Sequence, residues 1–266
     1  MIETIFVDVD ETLIDDNFNI PQENIEAILK VQNEGVDVLL NTGRTIGLLQ
    51  PIIDTLNIKD LIVMNGAIIY GASGLEVLYQ KSMEDDHVQA IFNYAVDHQE
   101  SMHIFTKDDL YIYNISEVEY VRNQQLGAVY SNLERLDMVK DPIIKVMIEK
   151  TDMDYLAKVR ENLLDLINAP LELTFSSHRY LEINSPGTSK GDAVMRYLKM
   201  KNKSLATTMV IGDSLNDLSM FQIDVAKKVA VANAVEPVKA HAHVITEKDA
   251  GNAAVAEALN RFVLEI

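Results

Sequence analysis

The chain has 266 residues, no cysteine and no tryptophan, and it carries 41 acidic against 23 basic side chains, which gives a formal net charge of −18 at pH 7. The absence of cysteine excludes a disulfide scaffold, a thiolate metal site and a cysteine nucleophile, and the acidic balance argues against a nucleic-acid partner, which would require clustered lysine and arginine. No apolar run approaches the length of a membrane span and no signal-peptide pattern follows Met1, so we expect a cytoplasmic protein without a membrane partner.

The first third of the chain alternates short apolar runs with helical patterns. Residues 5–7, 36–40 and 61–64 are rich in β-branched and aliphatic side chains, which predicts short strands buried on both faces. Apolar residues recur at helical spacing over 21–35 and 48–53, which predicts a helix after each of the first two strands. This order of elements predicts a doubly wound, mainly parallel α/β sheet of the Rossmann-like type.

The middle of the chain shows a different pattern. Strand signals flank turn residues at 102–114 and again at 171–183, which predicts two hairpins. A helix is predicted between them, from Asp152 as a candidate cap residue to about Ile167. Because the paired strands are neighbours along the chain, this region is expected to be an α+β domain with antiparallel pairing.

The last part of the chain returns to the pattern of the first. Its strand signals lie at 208–211, 229–231 and 243–245. We therefore predict a core domain built from residues 1–81 and 185–266, with an α+β cap domain inserted over 82–184. Two domains agree with the length, at roughly 150 residues per domain.

Polar residues follow several of the predicted core strands, namely Asp8, Asp10, Thr42, Asn65 and Asp213. Ligands of open α/β sheets bind beyond the carboxyl ends of the strands, so we expect these residues around one crevice. Two carboxylates at such a place repel each other unless a proton or a cation intervenes, and hard oxygen ligands suit Mg²⁺. Taken singly, each acidic group has an ordinary alternative as a solvated strand end or a carboxylate that stabilises a helix dipole.

Two further segments carry groups that suit a phosphate. Thr42, Gly43 and Arg44 offer a hydroxyl, backbone N–H groups and a guanidinium at a predicted helix start. Lys190 lies at the predicted return of the chain to the core domain. The alternatives are an ordinary helix cap for the first segment and a solvated surface charge for the lysine.

The order of these segments is more specific than any one of them: Asp-x-Asp-x-Thr, Thr-Gly-Arg, Lys, and Gly-Asp-x-x-Asn-Asp. With Asn65-Gly66-Ala67 and the run 181–191, the whole chain resembles the haloacid dehalogenase superfamily, and most closely its Cof-like phosphatase branch with a large α+β cap. The resemblance implies a Mg²⁺-dependent phosphatase that hydrolyses a small phosphomonoester through an aspartyl-phosphate. A sugar phosphate, a nucleotide or a phosphorylated cofactor would be the substrate.

The resemblance also implies roles for individual residues. The implied catalytic residues are Asp8, Asp10, Thr42 and Lys190. Asp8 would be the nucleophile, and Asp10 would be the general acid for the leaving alcohol and then the general base for water. The implied substrate-binding residues are Thr42, Gly43, Arg44, Lys190 and Asn216.

The resemblance implies a metal site as well. Mg²⁺ would be held by Asp8, by the backbone carbonyl of Asp10 and by Asp213, and Asp217 would orient Lys190 or a metal-bound water. The inserted cap would close over the core and choose the substrate.

One position departs from the family pattern, because Glu11 stands where the family usually has glycine. Glycine tolerates backbone conformations that glutamate resists. We expect a tolerated, outward-facing side chain, and the alternative is an altered activity.

Two other functions remain open at this stage. A phosphomutase of the same superfamily would transfer the phosphoryl group to a second hydroxyl instead of to water. A non-enzymatic phosphate-binding module is less favoured, because a receiver domain carries its acceptor at a mid-chain strand end and no P-loop or glycine-rich dinucleotide motif is present. His178 and Arg179, at the tip of the second cap hairpin, are either substrate contacts or an exposed polar turn.

Overall fold

The computed structural model describes residues 1–15, 17–74, 76–126, 129–177 and 179–264. The chain divides into a core unit, Met1–Gln80 with Ser189–Ile266, and an inserted unit, Lys81–Thr188. The sequence pattern predicted these junctions after residues 81 and 184, and the role of the inserted unit as a cap stays a prediction. His178 lies outside the described residues.

The first part of the core unit alternates strands and helices. Its strands are β1 (Thr4–Val7), β2 (Asp37–Asn41), β3 (Leu61–Val63), β4 (Ile68–Gly71) and β5 (Glu76–Gln80). Its helices are α1 (Gln22–Asn33) and α2 (Gln50–Leu56). Every residue of β1 and β3 is buried, as expected for strands covered on both faces.

The inserted unit is an α+β layer of one sheet and its helices. Its strands are β6 (Ser101–Phe105), β7 (Leu110–Tyr113), β8 (Ser131–Asn132), β9 (Lys145–Glu149), β10 (Glu172–Ser177) and β11 (Tyr180–Asn184). Its helices are α3 (Asp85–His98), α4 (Glu117–Leu126) and α5 (Met153–Ile167). Both predicted hairpins are present, as the antiparallel pairs of β6 with β7 and of β10 with β11.

The predicted helix of this unit begins where its cap residue lies. The side chain of Asp152 accepts a hydrogen bond from the backbone N–H of Tyr155, and α5 ends at Ile167. Apolar residues of α3, α5 and one face of the sheet form a single core, which includes Ile91, Leu156 and Ile148. Most of the side chains that alternate with these along β9 and β11 are polar or charged, and Lys145, Glu149, Glu182 and Asn184 are all buried.

The last part of the core unit completes the sheet. Its strands are β12 (Thr208–Gly212), β13 (Lys227–Ala230) and β14 (Val244–Ile245). Its helices are α6 (Lys190–Met200), α7 (Leu218–Gln222), α8 (Glu236–Lys239) and α9 (Ala254–Leu259), and a π-helical turn follows at Asn260–Leu264.

The core sheet has the strand order β14-β13-β12-β1-β2-β3-β4-β5. Pairing is parallel from β14 to β3, and β4 and β5 add an antiparallel edge. The predicted mainly parallel, doubly wound α/β fold is confirmed. Because β1 lies between β2 and β12, the carboxyl ends of strands from both ends of the chain are neighbours. Among the helices of the described residues, none is long and apolar enough to cross a membrane.

Candidate active site

The ends of three adjacent strands position the predicted site residues. Asp8 follows β1, Thr42 follows β2 and Asp213 follows β12, and all three are buried. Lys190 is the first residue of α6, whose N-cap Ser189 accepts a hydrogen bond from the backbone N–H of Asp192. The parallel order of the sheet therefore brings together residues that lie up to 205 positions apart, since 213 − 8 = 205.

A buried ion cluster forms the centre of the site. The Nζ atom of Lys190 lies 2.6 Å from Oδ1 of Asp8 and 2.5 Å from Oδ1 of Asp217, and the lysine side chain is fully buried. Burial alone would lower the pKa of Lys190, but the two carboxylates outweigh it and raise the pKa above the usual value. The lysine is therefore held as a cation against its two partners.

Asp217 ties the lysine to the loop that follows β12. Its second oxygen, Oδ2, accepts hydrogen bonds from the backbone N–H groups of Asp213, at 2.9 Å, and of Ser214, at 3.0 Å. A Cβ atom at Gly212 would lie only 2.7 Å from this carboxylate, so glycine is required for the close approach. Both oxygens of Asp217 are thus used in positioning Lys190 and the Asp213 loop.

Asn216 and Asp217 precede α7, which begins at Leu218. The Asp217 carboxylate turns back to bond the loop that leads into this helix.

Three carboxylates of this cluster lie close enough to share a cation. One oxygen from each of Asp8, Asp213 and Asp217 lies within 4.8 Å of the others. Burial, together with repulsion from Asp217, raises the pKa of Asp8 to about 7, and burial with repulsion from Asp8 raises the pKa of Asp213 well above its usual value. Three carboxylates facing one ammonium group leave an excess of negative charge, which fits a divalent cation held by oxygen ligands.

Thr12 positions one of these carboxylates. Its hydroxyl donates a hydrogen bond of 2.6 Å to Oδ1 of Asp213, across 201 positions of sequence. Within the described part of the chain, the Oδ2 atoms of Asp8 and Asp213 take no part in the hydrogen bonds of this cluster, whereas both Asp217 oxygens do. The donor set therefore favours Asp8 and Asp213 over Asp217 as metal ligands.

Asp10 and Arg44 form a separate, more exposed pair. The guanidinium donates from Nε to Oδ2 of Asp10 at 2.9 Å and from Nη2 to Oδ1 at 2.6 Å, which is the bidentate arrangement. The Asp10 side chain is 51% exposed, and the ring of half-exposed Phe18 lies 5.3 Å from the Arg44 guanidinium. The side chain of Asp10 thus lies outside the cluster of three carboxylates, and only its backbone carbonyl stays a predicted metal ligand.

The remaining predicted residues are linked through Asn65. The backbone N–H of Asn65 donates to the carbonyl of Thr42 at 3.0 Å, and the amide of Asn216 donates to the side chain of Asn65 at 3.3 Å. The Thr42 hydroxyl accepts from the backbone N–H of Arg44 at 3.2 Å, and Gly43 lies within this turn. Their roles toward a substrate stay predictions.

Glu11 adopts the conformation that explains the usual glycine. Its φ is 55°, in the left-handed region, and its side chain is exposed as expected. The amide of Asn233 donates a hydrogen bond of 2.7 Å to the Glu11 carbonyl. Asn233 was absent from the predicted site, because no local spacing signals a contact across 222 positions.

The sequence model of the haloacid dehalogenase-like hydrolases matches residues 5–259. The chain therefore belongs to this family, which confirms the resemblance found from the motifs.

Individual relatives cover nearly the whole chain. The 5-amino-6-(5-phospho-D-ribitylamino)uracil phosphatase YcsE of Bacillus subtilis strain 168 is 28% identical, over 99% of this chain and 96% of its own length. The fold is similar to that of a haloacid dehalogenase-like hydrolase from B. subtilis, with a TM-score of 0.89, 22% identity and coverage of 98% of this chain and 100% of that one. It is also similar to the subclass IIB sugar phosphatase BT4131, with a TM-score of 0.85, 22% identity and coverage of 98% of both chains.

Proposed function

We propose that this hydrolase is a Mg²⁺-dependent phosphatase that cleaves a small phosphomonoester through an aspartyl-phosphate on Asp8. The observation that carries the proposal is the buried cluster in which Lys190 joins Asp8 to Asp217 beside Asp213. The phosphatase names of its relatives support the class of phosphoric monoester hydrolase. Phosphoryl transfer requires mainly in-line positioning and stabilisation of charge, and this cluster offers both a nucleophile and a fixed cation.

Asp8 is the proposed nucleophile. A carboxylate oxygen attacks phosphorus, the bond between phosphorus and the ester oxygen breaks, and the alcohol leaves with a proton from Asp10. Water then attacks phosphorus, Asp10 takes up its proton, and the Asp8 carboxylate and inorganic phosphate are released. Lys190, held 2.6 Å from Asp8, stabilises the negative charge of the phosphoryl group in both steps.

The residues present fit the implied Mg²⁺. Asp8, Asp213 and the backbone carbonyl of Asp10 would hold it, and Thr12 fixes the orientation of the Asp213 carboxylate. When bound, Mg²⁺ neutralises charge on the phosphoryl oxygens and so reduces their repulsion of the Asp8 carboxylate.

Arg44 links substrate binding to the release of the general acid. The bidentate pair occupies both carboxylate oxygens of Asp10, so neither is directed at a leaving group. A phosphate is a second partner for the same guanidinium, because arginine donates to phosphate and carboxylate oxygens in the same geometry. A bound phosphomonoester would thus compete for Arg44 and free Asp10, which agrees with the predicted substrate contact.

The substrate is proposed to be a sugar phosphate, a nucleotide or a phosphorylated cofactor. The inserted unit would act as the cap that selects it, and the reaction would take place in the cytoplasm. Similarity to a sugar phosphatase fold and to a phosphatase of a phosphoribityl compound supports the small, phosphorylated and polyhydroxylated end of this range.

The test is phosphate release from p-nitrophenyl phosphate and from a panel of phosphometabolites in MgCl₂. Asp8→Asn should lower kcat by at least about a thousandfold, as expected for loss of a nucleophile, and EDTA should abolish the activity of the native protein. Asp54→Asn is the matched control, because Asp54 is an exposed aspartate on α2 that accepts a hydrogen bond from Gln50 of the same helix. Full activity of Asp8→Asn, or full activity in EDTA, would contradict the proposal.

A further inference from the structure

An exposed asparagine, Asn233, holds the turn that connects β1 to α1. This turn contains Asp8 and Asp10, the two proposed catalytic aspartates. The Nδ2 atom of Asn233 donates to the backbone carbonyl of Glu11 at 2.7 Å, and its Oδ1 atom accepts from the backbone N–H of Ala250 at 3.0 Å. One side chain thus connects the residue after Asp10 to the segment that leads into α9. Because Asn233 is exposed, its side chain does not contribute to the packing of the core.

A second asparagine connects the same turn to the same part of the chain. The Nδ2 atom of Asn24 donates to the carbonyl of Leu13 at 3.2 Å, and its Oδ1 atom accepts from the backbone N–H of Ala256 at 2.8 Å. Asn24 is fully buried at the start of α1. The turn is therefore attached through two of its carbonyl groups, and Asn233 holds the one that lies within the catalytic motif.

The conformation of Glu11 makes the Asn233 bond important. A φ of 55° places Glu11 in the left-handed region, where the Cβ atom of any L-residue is crowded and which only glycine adopts freely. A return of Glu11 to negative φ would rotate the peptide group that joins it to Thr12. That rotation would change the orientation of Asp10 and Thr12, the two neighbours of Glu11, relative to each other. It would therefore displace the Thr12 hydroxyl from Oδ1 of Asp213, which lies 2.6 Å away.

We propose that Asn233 is a positioning residue for the hydrolysis, because it keeps Glu11 in the left-handed conformation by bonding its carbonyl. The inference rests on the proposed function, and Asn233 acts through Glu11 without touching the substrate. Its importance depends on the residue at position 11, since glycine would hold the same conformation without assistance. The effect of removing the Asn233 amide should therefore differ between chains with glutamate and with glycine at this position.

The test is a double-mutant cycle of Asn233→Ala and Glu11→Gly. We measure kcat and KM for p-nitrophenyl phosphate in saturating MgCl₂, the MgCl₂ concentration for half-maximal activity, and the midpoint of thermal unfolding. Asn233→Ala should lower kcat by about tenfold in the native background but by less than about threefold in the Glu11→Gly background. Asn114→Ala is the matched control, because Asn114 donates a 2.8 Å bond to the Gln99 carbonyl on the inserted unit, and its kcat should match that of the native protein.

Two kinetic outcomes overturn the inference: an unchanged kcat for Asn233→Ala, or an equal loss in both backgrounds, which would mean that Asn233 acts independently of Glu11. Failure of the proposed function is distinct, since the native protein would then release no more phosphate than Asp8→Asn. In that event the thermal midpoints decide. A larger decrease for Asn233→Ala in the native background than with Glu11→Gly supports the role of Asn233 in holding Glu11, and equal decreases overturn it.

Discussion

Asp217→Asn should destabilise the protein more than its small change in shape suggests. The Asp217 carboxylate accepts only: Oδ1 faces the Lys190 ammonium, and Oδ2 faces the backbone N–H groups of Asp213 and Ser214. An asparagine side chain has one acceptor oxygen and one NH₂ donor. Whichever way the amide is oriented, its NH₂ group must face either a buried ammonium or two buried N–H donors.

The magnitude follows from the burial of this pair. Removing one partner of a buried ion pair costs about 3–5 kcal/mol, because the other charge remains in a poorly solvated place. Asp8 still faces Lys190 at 2.6 Å, and loss of the Asp217 charge also relieves its repulsion of Asp8, so we take the lower end, about 3 kcal/mol. At about 2–4 °C per kcal/mol for a chain of this size, the thermal midpoint should fall by about 6–12 °C.

The assay is thermal unfolding followed by circular dichroism and by calorimetry, with Asp54→Asn as the control for the same chemical change on an exposed helix surface. The control should stay within about 0.5 kcal/mol of the native protein, as is usual for surface substitutions. A midpoint for Asp217→Asn within about 2 °C of the native value would correspond to less than about 1 kcal/mol and would refute the buried acceptor-only arrangement.

Three further substitutions test separate parts of the molecule. Asp213→Ala should raise the Mg²⁺ concentration for half-maximal activity by at least about tenfold through loss of a carboxylate ligand, and an unchanged titration would exclude Asp213 as a ligand. Glu11→Gly should change kcat by less than about tenfold, because glycine adopts the left-handed conformation directly, and a larger change would mean that the glutamate side chain acts in turnover. Glu182→Leu breaks the buried 3.2 Å pair with Lys145 and should lower the free energy of unfolding, measured in urea, by about 3 kcal/mol. The double variant Glu182→Leu with Lys145→Met should lose less than half of that free energy, and equal losses for the single and double variants would contradict this reasoning.

The pattern of apolar residues was sufficient for the fold. The runs at 5–7 and 61–64 are completely buried in the structure, and each is followed by a polar residue that the pattern assigned to the crevice, Asp8 and Asn65 respectively. Parallel pairing of the alternating strands also followed, because a connection through a helix returns the chain in the same direction and places the carboxyl ends of these strands at one edge. That edge is where Asp8, Thr42 and Asp213 lie.

The partners of individual charges were less predictable. The family resemblance implied that Asp217 orients Lys190 or a metal-bound water; in the structure one of its oxygens bonds Lys190, and the other bonds the backbone of the Asp213 loop. Arg44 was expected near a phosphate, and its carboxylate partner Asp10 could not be read from the sequence, because 34 positions separate them.

The sequence by itself therefore determined which residues form the candidate site and at which edge of the sheet they lie, since apolar periodicity reports burial and the motifs report residue types. Only the tertiary structure decided which groups bond one another. The Asn233 bond that holds Glu11, and the Thr12 bond that orients Asp213, each join segments more than 200 positions apart. Such bonds depend on how β1, β12 and the loops beyond them pack together, and local spacing carries no record of that packing.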